Sequence, residues 1–280
     1  MGKYTDLADK IPWRSRGQET VISRAGRSLV PIGLLPFEPV EISGAHLPQI
    51  QSSDPKHENY ILEILATAIQ AGEGKLVTCG HVAEKLAAGD SKRRAIVVPM
   101  EKDGEIVFIP YPVPVAMAYI DPRSNSSNME VDLALLVVPA KSTPAIPYQV
   151  PVARWGDSGR LGVGDEVIIG GYPYGKRMFL TTSTNRAFVQ PTFYHGIVSA
   201  MLPATKPTET RIMQLSIPTV GGMSGGAVFD PKTGEVLGMV TSGMNAKGDE
   251  SRALPITYAL PSEVIAPFVQ ALRIDTDPSP

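Results

Sequence analysis

VGGMSGGAVFD, residues 220–230, sets one serine among four glycines, Gly221, Gly222, Gly225 and Gly226. A serine nucleophile needs an exposed hydroxyl on a sharp turn, with backbone N–H groups nearby to hold an oxyanion. Glycines permit both, because such a turn demands backbone angles that other residues avoid. A Gly-rich hairpin with an incidental serine has the same composition, so Ser224 gains meaning only from partners elsewhere in the chain.

Chain order narrows the choice of partners. G-M-S-G-G also fits the nucleophile elbow of α/β-hydrolases, but there the histidine follows the serine. The four histidines, His46, His57, His81 and His195, all precede Ser224. A subtilisin-type arrangement would have the serine open a helix, whereas GGAVFD reads as a strand. The order His, Asp, Ser remains.

His81 lies in KLVTCGHVAEKL (75–86), where a strand runs into a tight turn and a helical turn begins. Asp132 lies in MEVDLALLVV (129–138), just ahead of an apolar strand. The acid of a triad must be desolvated and fixed if it is to hold the imidazole in one tautomer. An aspartate among Val131, Leu133 and Leu135 suits that better than one in an open loop, and Glu130 is the nearest alternative. A lone histidine or a strand-edge carboxylate is more often structural. His46 and His57 fall in polar loops, and His195 opens a strand. It is the joint occurrence of His81, Asp132 and Ser224 in one consistent order that carries chemistry.

The rest of the chain frames these three residues. Its 280 residues carry 19% charged and 43% apolar side chains, with 26 Gly and 26 Pro, which describes a globular, turn-rich protein. The formal net charge of −2 offers no basic surplus for phosphates, so nucleic acid is not an expected partner. The N-terminus MGKYTDLADKIPWRSRG lacks a signal-like apolar core, and no apolar stretch is long enough to span a bilayer. The expectation is a soluble, cytoplasmic protein with no membrane partner. Cys79 is the single cysteine, so no internal disulfide forms. A redox or metal-ligand role for it is weighed against a small buried residue at a strand end, and the second reading is taken.

Short apolar runs bounded by Gly, Pro or polar clusters recur from SLVPIGLL to EVLGMVTSG, the pattern of an all-β sandwich or barrel. A break near residues 141–155 divides them into two groups. Helices are expected at VAEKLAAG (82–89), with Gly89 as a C-terminal cap, and at PSEVIAPFVQALR (261–273), which Pro267 weakens.

In this order the motifs resemble trypsin-like peptidases of the HtrA/Deg type. LVTCGHVA, VDLALLVV, VGDEVIIGGYPYG, HGIVSA, GGMSGGAVFDPKTGEVLGMVTSG and LPITYALPSEVIAPFVQAL each match a family segment, over about residues 60–272. The resemblance implies two perpendicular six-stranded β-barrels with the active site between them and a short C-terminal helix. The corresponding division is an N-terminal arm (1–24), a first barrel with His81 and Asp132 (25–145), a second barrel and helix with Ser224 (146–274), and a tail (275–280). It further implies an oxyanion hole from the N–H groups of Gly222 and Ser224. Thr241, Ser242 and Gly243 would pair with substrate, and residues 217–221, including Val220 and Gly221, would line the pocket's other wall. With no acid in IPTVGG, nothing there favours Arg or Lys. The chain departs from the family at Met223, where Asn or Asp is usual, and at Ala227, where Pro is usual, and no PDZ domain is expected. The implied activity is serine endopeptidase action on a protein or peptide substrate, with no metal and no organic cofactor. A homo-oligomer or a regulatory partner is left open. The rival reading is a catalytically silent or partner-activated peptide-binding protein of the same fold.

Overall fold

The computed structural model describes residues 20–34, 63–72, 74–89, 93–102, 105–112, 118–120, 131–137, 150–173, 191–202, 211–246 and 249–271. Most of the expected arm (1–19), His46, His57, Glu130, the run FLTTSTNRAFV (179–189) and the tail lie outside these residues.

Two sheets dominate. The first has seven strands: β1 (Leu29–Leu34), β2 (Glu63–Gly72), β3 (Lys75–Thr78), β4 (Arg94–Lys102), β5 (Glu105–Pro112), β6 (Ala118–Ile120) and β7 (Ala134–Val137). Their order is β5-β4-β1-β2-β3-β7-β6. The second is a closed six-stranded barrel of β8 (Glu166–Gly171), β9 (Thr192–Leu202), β10 (Ile212–Leu215), β11 (Ala227–Phe229), β12 (Val236–Ala246) and β13 (Asp249–Pro261). The second barrel therefore has the expected strand number. The first departs from it, with seven strands and no ladder between β5 and β6 among the described residues. Those two edges are consecutive in the chain, so the sheet's ends are tied by connectivity across residues 113–117.

One buried cluster lies in the first sheet and extends to Phe229, Met239 and Leu260 of the second barrel, and another lies within the second barrel. Ile32, Ile69, Leu76, Leu86, Ile96 and Leu133 are fully buried in the first. Val167, Ile169, Met213, Leu215, Val228 and Val240 fill the second. Each such side chain contributes about 1.5–3 kcal/mol relative to exposure.

The described residues include three short α-helices: α1 (Val21–Ala25), α2 (Gly80–Ala88) and α3 (Ser262–Ala271). Helix α1 falls in the stretch read as an arm. Thr20 caps it by accepting the Ser23 N–H, and Val21 and Ala25 pack against Gly234 of the β11–β12 turn. Gly89 does end α2, but with φ −82 rather than in the left-handed form. Pro267 lies inside α3 on an exposed position instead of ending it. No helix among the described residues is long and apolar enough to cross a membrane.

Candidate active site

The register of two strands brings His81 and Asp132 together. β3 and β7 run antiparallel, with Thr78 opposite Ala134. His81 follows the end of β3 by three residues and Asp132 precedes β7 by two, so both leave the sheet at one edge. Chain order predicts this pairing, and the ladder delivers it.

His81 stands in the first turn of α2, whose two ends are both held by side chains from the sheet. The N-cap residue Cys79 makes no side-chain capping bond. Asp132 supplies one instead: its Oδ1 accepts the His81 backbone N–H at 2.9 Å. The first N–H groups of a helix lack internal partners and favour a carboxylate. At the other end, the buried Arg94 of β4 donates to the carbonyls of Ala87 (2.7 Å) and Gly89 (2.5 Å). The cation there completes the complementary half of the helix dipole.

The second oxygen of Asp132 lies 2.6 Å from His81 Nδ1. A carboxylate only accepts, so the proton sits on Nδ1 and Nε2 is left to accept another. Burial alone would push the Asp132 carboxyl up. The hydrogen bond and charge of the His81 ring, with the backbone N–H groups of His81 and Gly80, outweigh it and hold the carboxyl below its ordinary value. The imidazole is 44% exposed against 19% for the carboxylate, so the pair presents the ring outward and keeps the acid behind it.

The nucleophile loop reaches the same edge from the second barrel. Met223 donates its N–H to the Val220 carbonyl at 3.1 Å, closing a turn with Gly221 and Gly222 at its centre. Gly222 has φ +97, the angle a type II turn requires in its third position. A Cβ at Gly222 would collide with the Tyr172 carbonyl oxygen. Among the described residues, neither the Gly222 nor the Ser224 N–H has a hydrogen-bond acceptor in the protein. Ser224 itself is half-buried. No hydrogen bond joins its hydroxyl to His81 among the described residues, a separation common in unliganded hydrolases. Met223 is buried, 3.0 Å by its sulfur from the Cβ position of Gly171, and anchors the loop by packing.

Thr67, which sequence reading missed, ties the loop to the first sheet, and Thr78 and Tyr172 hold Thr67 in turn. Thr67 of β2 donates its backbone N–H to the Ser224 carbonyl (2.9 Å) and its hydroxyl to the Gly222 carbonyl (2.8 Å). Thr78 donates its hydroxyl to the Thr67 carbonyl at 2.8 Å. Tyr172 donates its N–H to Thr67 Oγ1 (2.9 Å) and its phenol to the Leu29 carbonyl (3.1 Å). Burial pushes the Tyr172 phenol up, so it remains a donor. The sole sequence signal was a polar residue inside the apolar run ILATAIQ.

The expected substrate-binding segments lie on either side of one contact. Gly243 of β12 leaves no room for a Cβ because the Thr219 hydroxyl stands there, and Thr219 is also 3.2 Å from the Thr257 hydroxyl. Val220 and Gly221 continue from Thr219 into the turn. Thr241 sits at a register shift between Val240 and Ser242, its hydroxyl directed to the Tyr258 carbonyl at 3.2 Å. His195 lies on β9, exposed, 3.8 Å from Glu166, away from this edge.

Cys79 Sγ donates to the Val240 carbonyl at 3.3 Å and is fully buried. Burial, and then the charge of Asp132, push its thiol well up. A protonated, inaccessible thiol is neither a nucleophile nor a redox sensor. Ligand atoms of Cys79, His81 and Asp132 lie within 4.8 Å of one another. However, His81 Nδ1 and the Asp132 carboxylate are bonded to each other, so a metal would have to displace that bond.

Comparison with known proteins agrees with this geometry. A family model described as "Trypsin-like peptidase domain" matches residues 66–239. The fold is similar to that of "HtrA-type protease AlgW with decapeptide", at TM-score 0.53 and 20% identity, covering 90% of this chain and 66% of that one. It is likewise similar to "HtrA-type protease AlgW with tripeptide", at TM-score 0.51 and 21% identity, covering 90% of this chain and 62% of that one. The chain thus spans just under two thirds of the length of those structures.

Proposed function

Since this chain belongs to the trypsin-like peptidase domain family, we propose that it is a serine endopeptidase that cleaves peptide bonds through an acyl-enzyme. The observation that carries the reading is the Asp132–His81 pair, with the proton on Nδ1 and a free Nε2. Ser224 Oγ attacks the peptide carbonyl as His81 Nε2 takes its proton. The tetrahedral oxyanion is held by the N–H groups of Gly222 and Ser224. Collapse of that intermediate breaks the C–N bond, and His81 returns the proton to the leaving amine. Water then repeats the sequence on the ester, with His81 again as base. Asp132 stabilises the imidazolium in both halves and does not itself take the proton.

Substrate main chain pairs with Thr241, Ser242 and Gly243, and the first side chain lies against Val220 and Gly221. The absence of an acid in IPTVGG (217–222) supports a preference for uncharged side chains over Arg or Lys.

A fluorophosphonate probe with an uncharged alkyl arm tests the reading, Ser224 Oγ displacing fluoride from phosphorus. The expected result is stoichiometric labelling of the intact chain at Ser224, lost in His81→Ala. A wild-type chain that binds peptide but neither labels nor cleaves would be the silent peptide-binding protein instead.

A further inference from the structure

Thr67 has its backbone N–H, its carbonyl and both hydrogen-bonding capacities of its hydroxyl engaged around the nucleophile loop, and it is fully buried. We infer that Thr67 is a positioning residue for the oxyanion turn, pinning the carbonyls of Gly222 and Ser224 so that the backbone carrying the N–H groups of those two residues keeps its place against β2. The inference rests on the peptidase reading above and adds to it a residue from the other sheet.

The strand pairing explains why Thr67 is available. Ile69 of β2 is opposite Val77 of β3. Two residues further along, β3 has ended and the chain has turned into α2. The backbone groups of Thr67 therefore have no β3 partner. The Ser224 carbonyl takes its N–H, and the Thr78 hydroxyl takes its carbonyl. The same carbonyl lies so close to Gly225, at φ +81, that a Cβ there would collide with it.

The hydroxyl of Thr67 does the orienting. It accepts from Tyr172 N–H, which leaves its own proton to point at the Gly222 carbonyl. The Tyr172 carbonyl meanwhile closes the space beside the Gly222 Cα. A glycine at positive φ can turn its peptide over at little steric expense, carrying the N–H away from the hole. The Thr67 hydroxyl on the Gly222 carbonyl and the Val220 carbonyl on the Met223 N–H hold both ends of the Gly222–Met223 peptide, which leaves the turn one anchored side from which the Gly222 N–H projects.

The test compares Thr67→Val, which keeps the shape without the hydroxyl, with Thr67→Ser, which keeps the hydroxyl. Three quantities are measured on the full chain: kcat and KM on a peptide ester, affinity for a peptide boronate that forms a tetrahedral adduct, and affinity for an uncleaved peptide in a Ser224→Ala background. T67V is expected to lower kcat and boronate affinity by about 10- to 100-fold, within the range of an oxyanion donor. Its KM and ground-state peptide affinity should stay within about twofold, and T67S should recover most of the lost rate. If T67V fails to fold, Thr67→Ala carries the same comparison. Equal losses for boronate and ground-state peptide, or a T67V that matches wild type, overturn the inference. A wild-type chain that neither turns over ester nor binds boronate overturns the peptidase reading, and this inference with it.

Discussion

Asp132 holds His81 twice, through the backbone N–H at 2.9 Å and the ring Nδ1 at 2.6 Å. One carboxylate thus caps the helix that carries the base and fixes the tautomer of the base itself. Asp132→Asn should cost roughly four orders of magnitude in kcat by presenting the wrong hydrogen-bonding face to Nδ1. It should also lower helix stability by about 0.5–2 kcal/mol at most, the range of a lost cap. Steady-state kinetics and thermal unfolding of the same variant separate the two effects. A variant that keeps most of its activity would require another acid.

Ser224→Ala and His81→Ala should each remove essentially all turnover, and the double variant should be no worse than either alone. Residues that act as a unit are strongly non-additive. Additive losses in the double variant would mean that the two groups serve separate steps.

Asp132 should produce no rise in turnover across the ordinary carboxyl range, since His81 and the helix N–H groups hold its carboxyl lower. Asp132 is depressed in the folded state, so its contribution to stability is complete above the ordinary carboxyl value. That contribution is lost as pH falls through the folded value. A pH–rate profile and acid unfolding curves for wild type and Asp132→Asn check both signs.

Met223→Ala should destabilise the chain by about 2–5 kcal/mol, as expected when a buried large side chain is replaced by a cavity. Met223→Asp should be worse, because it would bury a carboxylate within the apolar cluster that includes Val220 and Ile217. Neither variant should make activity depend on trimming residues 1–59. Labelling of the intact chain by an active-site probe, before and after limited proteolysis, reads this out.

Asp230 shapes the β11–β12 turn by accepting from Lys232 N–H (2.7 Å), Thr233 N–H (3.0 Å) and Arg160 (2.6 Å). Its partial burial pushes the carboxyl up, and these donors more than offset that. Asp230→Ala should lose roughly 1–2 kcal/mol while leaving kcat unchanged. Chemical unfolding monitored together with turnover would show whether stability and chemistry separate.

Local pattern was enough for much of this molecule. Strand spacing gave an all-β chain in two groups, and the order of His81, Asp132 and Ser224 singled out one type of site. The reason is that a base on a tight turn, an acid beside an apolar strand and a serine among glycines are each written within a few consecutive residues. Helix α2 was legible for the same reason. The cap at Gly89 was legible as well, whereas the donation from Arg94 of another strand to the Ala87 and Gly89 carbonyls was not.

What holds the site together depended on tertiary structure. Thr67 and Gly222 are 155 residues apart, and Thr67 and Tyr172 are 105 apart. A threonine in ILATAIQ is, by its neighbours alone, one more strand residue. It becomes the anchor of the oxyanion turn only because β3 ends at Thr78 and leaves the Thr67 backbone groups facing the loop from the second barrel. The first sheet's seventh strand is likewise a matter of pairing across distance. The sequence by itself determined which residues could do the chemistry, since reactivity is a property of side-chain type and local turn. Only the packing of one sheet against the other decided what orients them, since a buried hydrogen bond exists only once both partners have left water together.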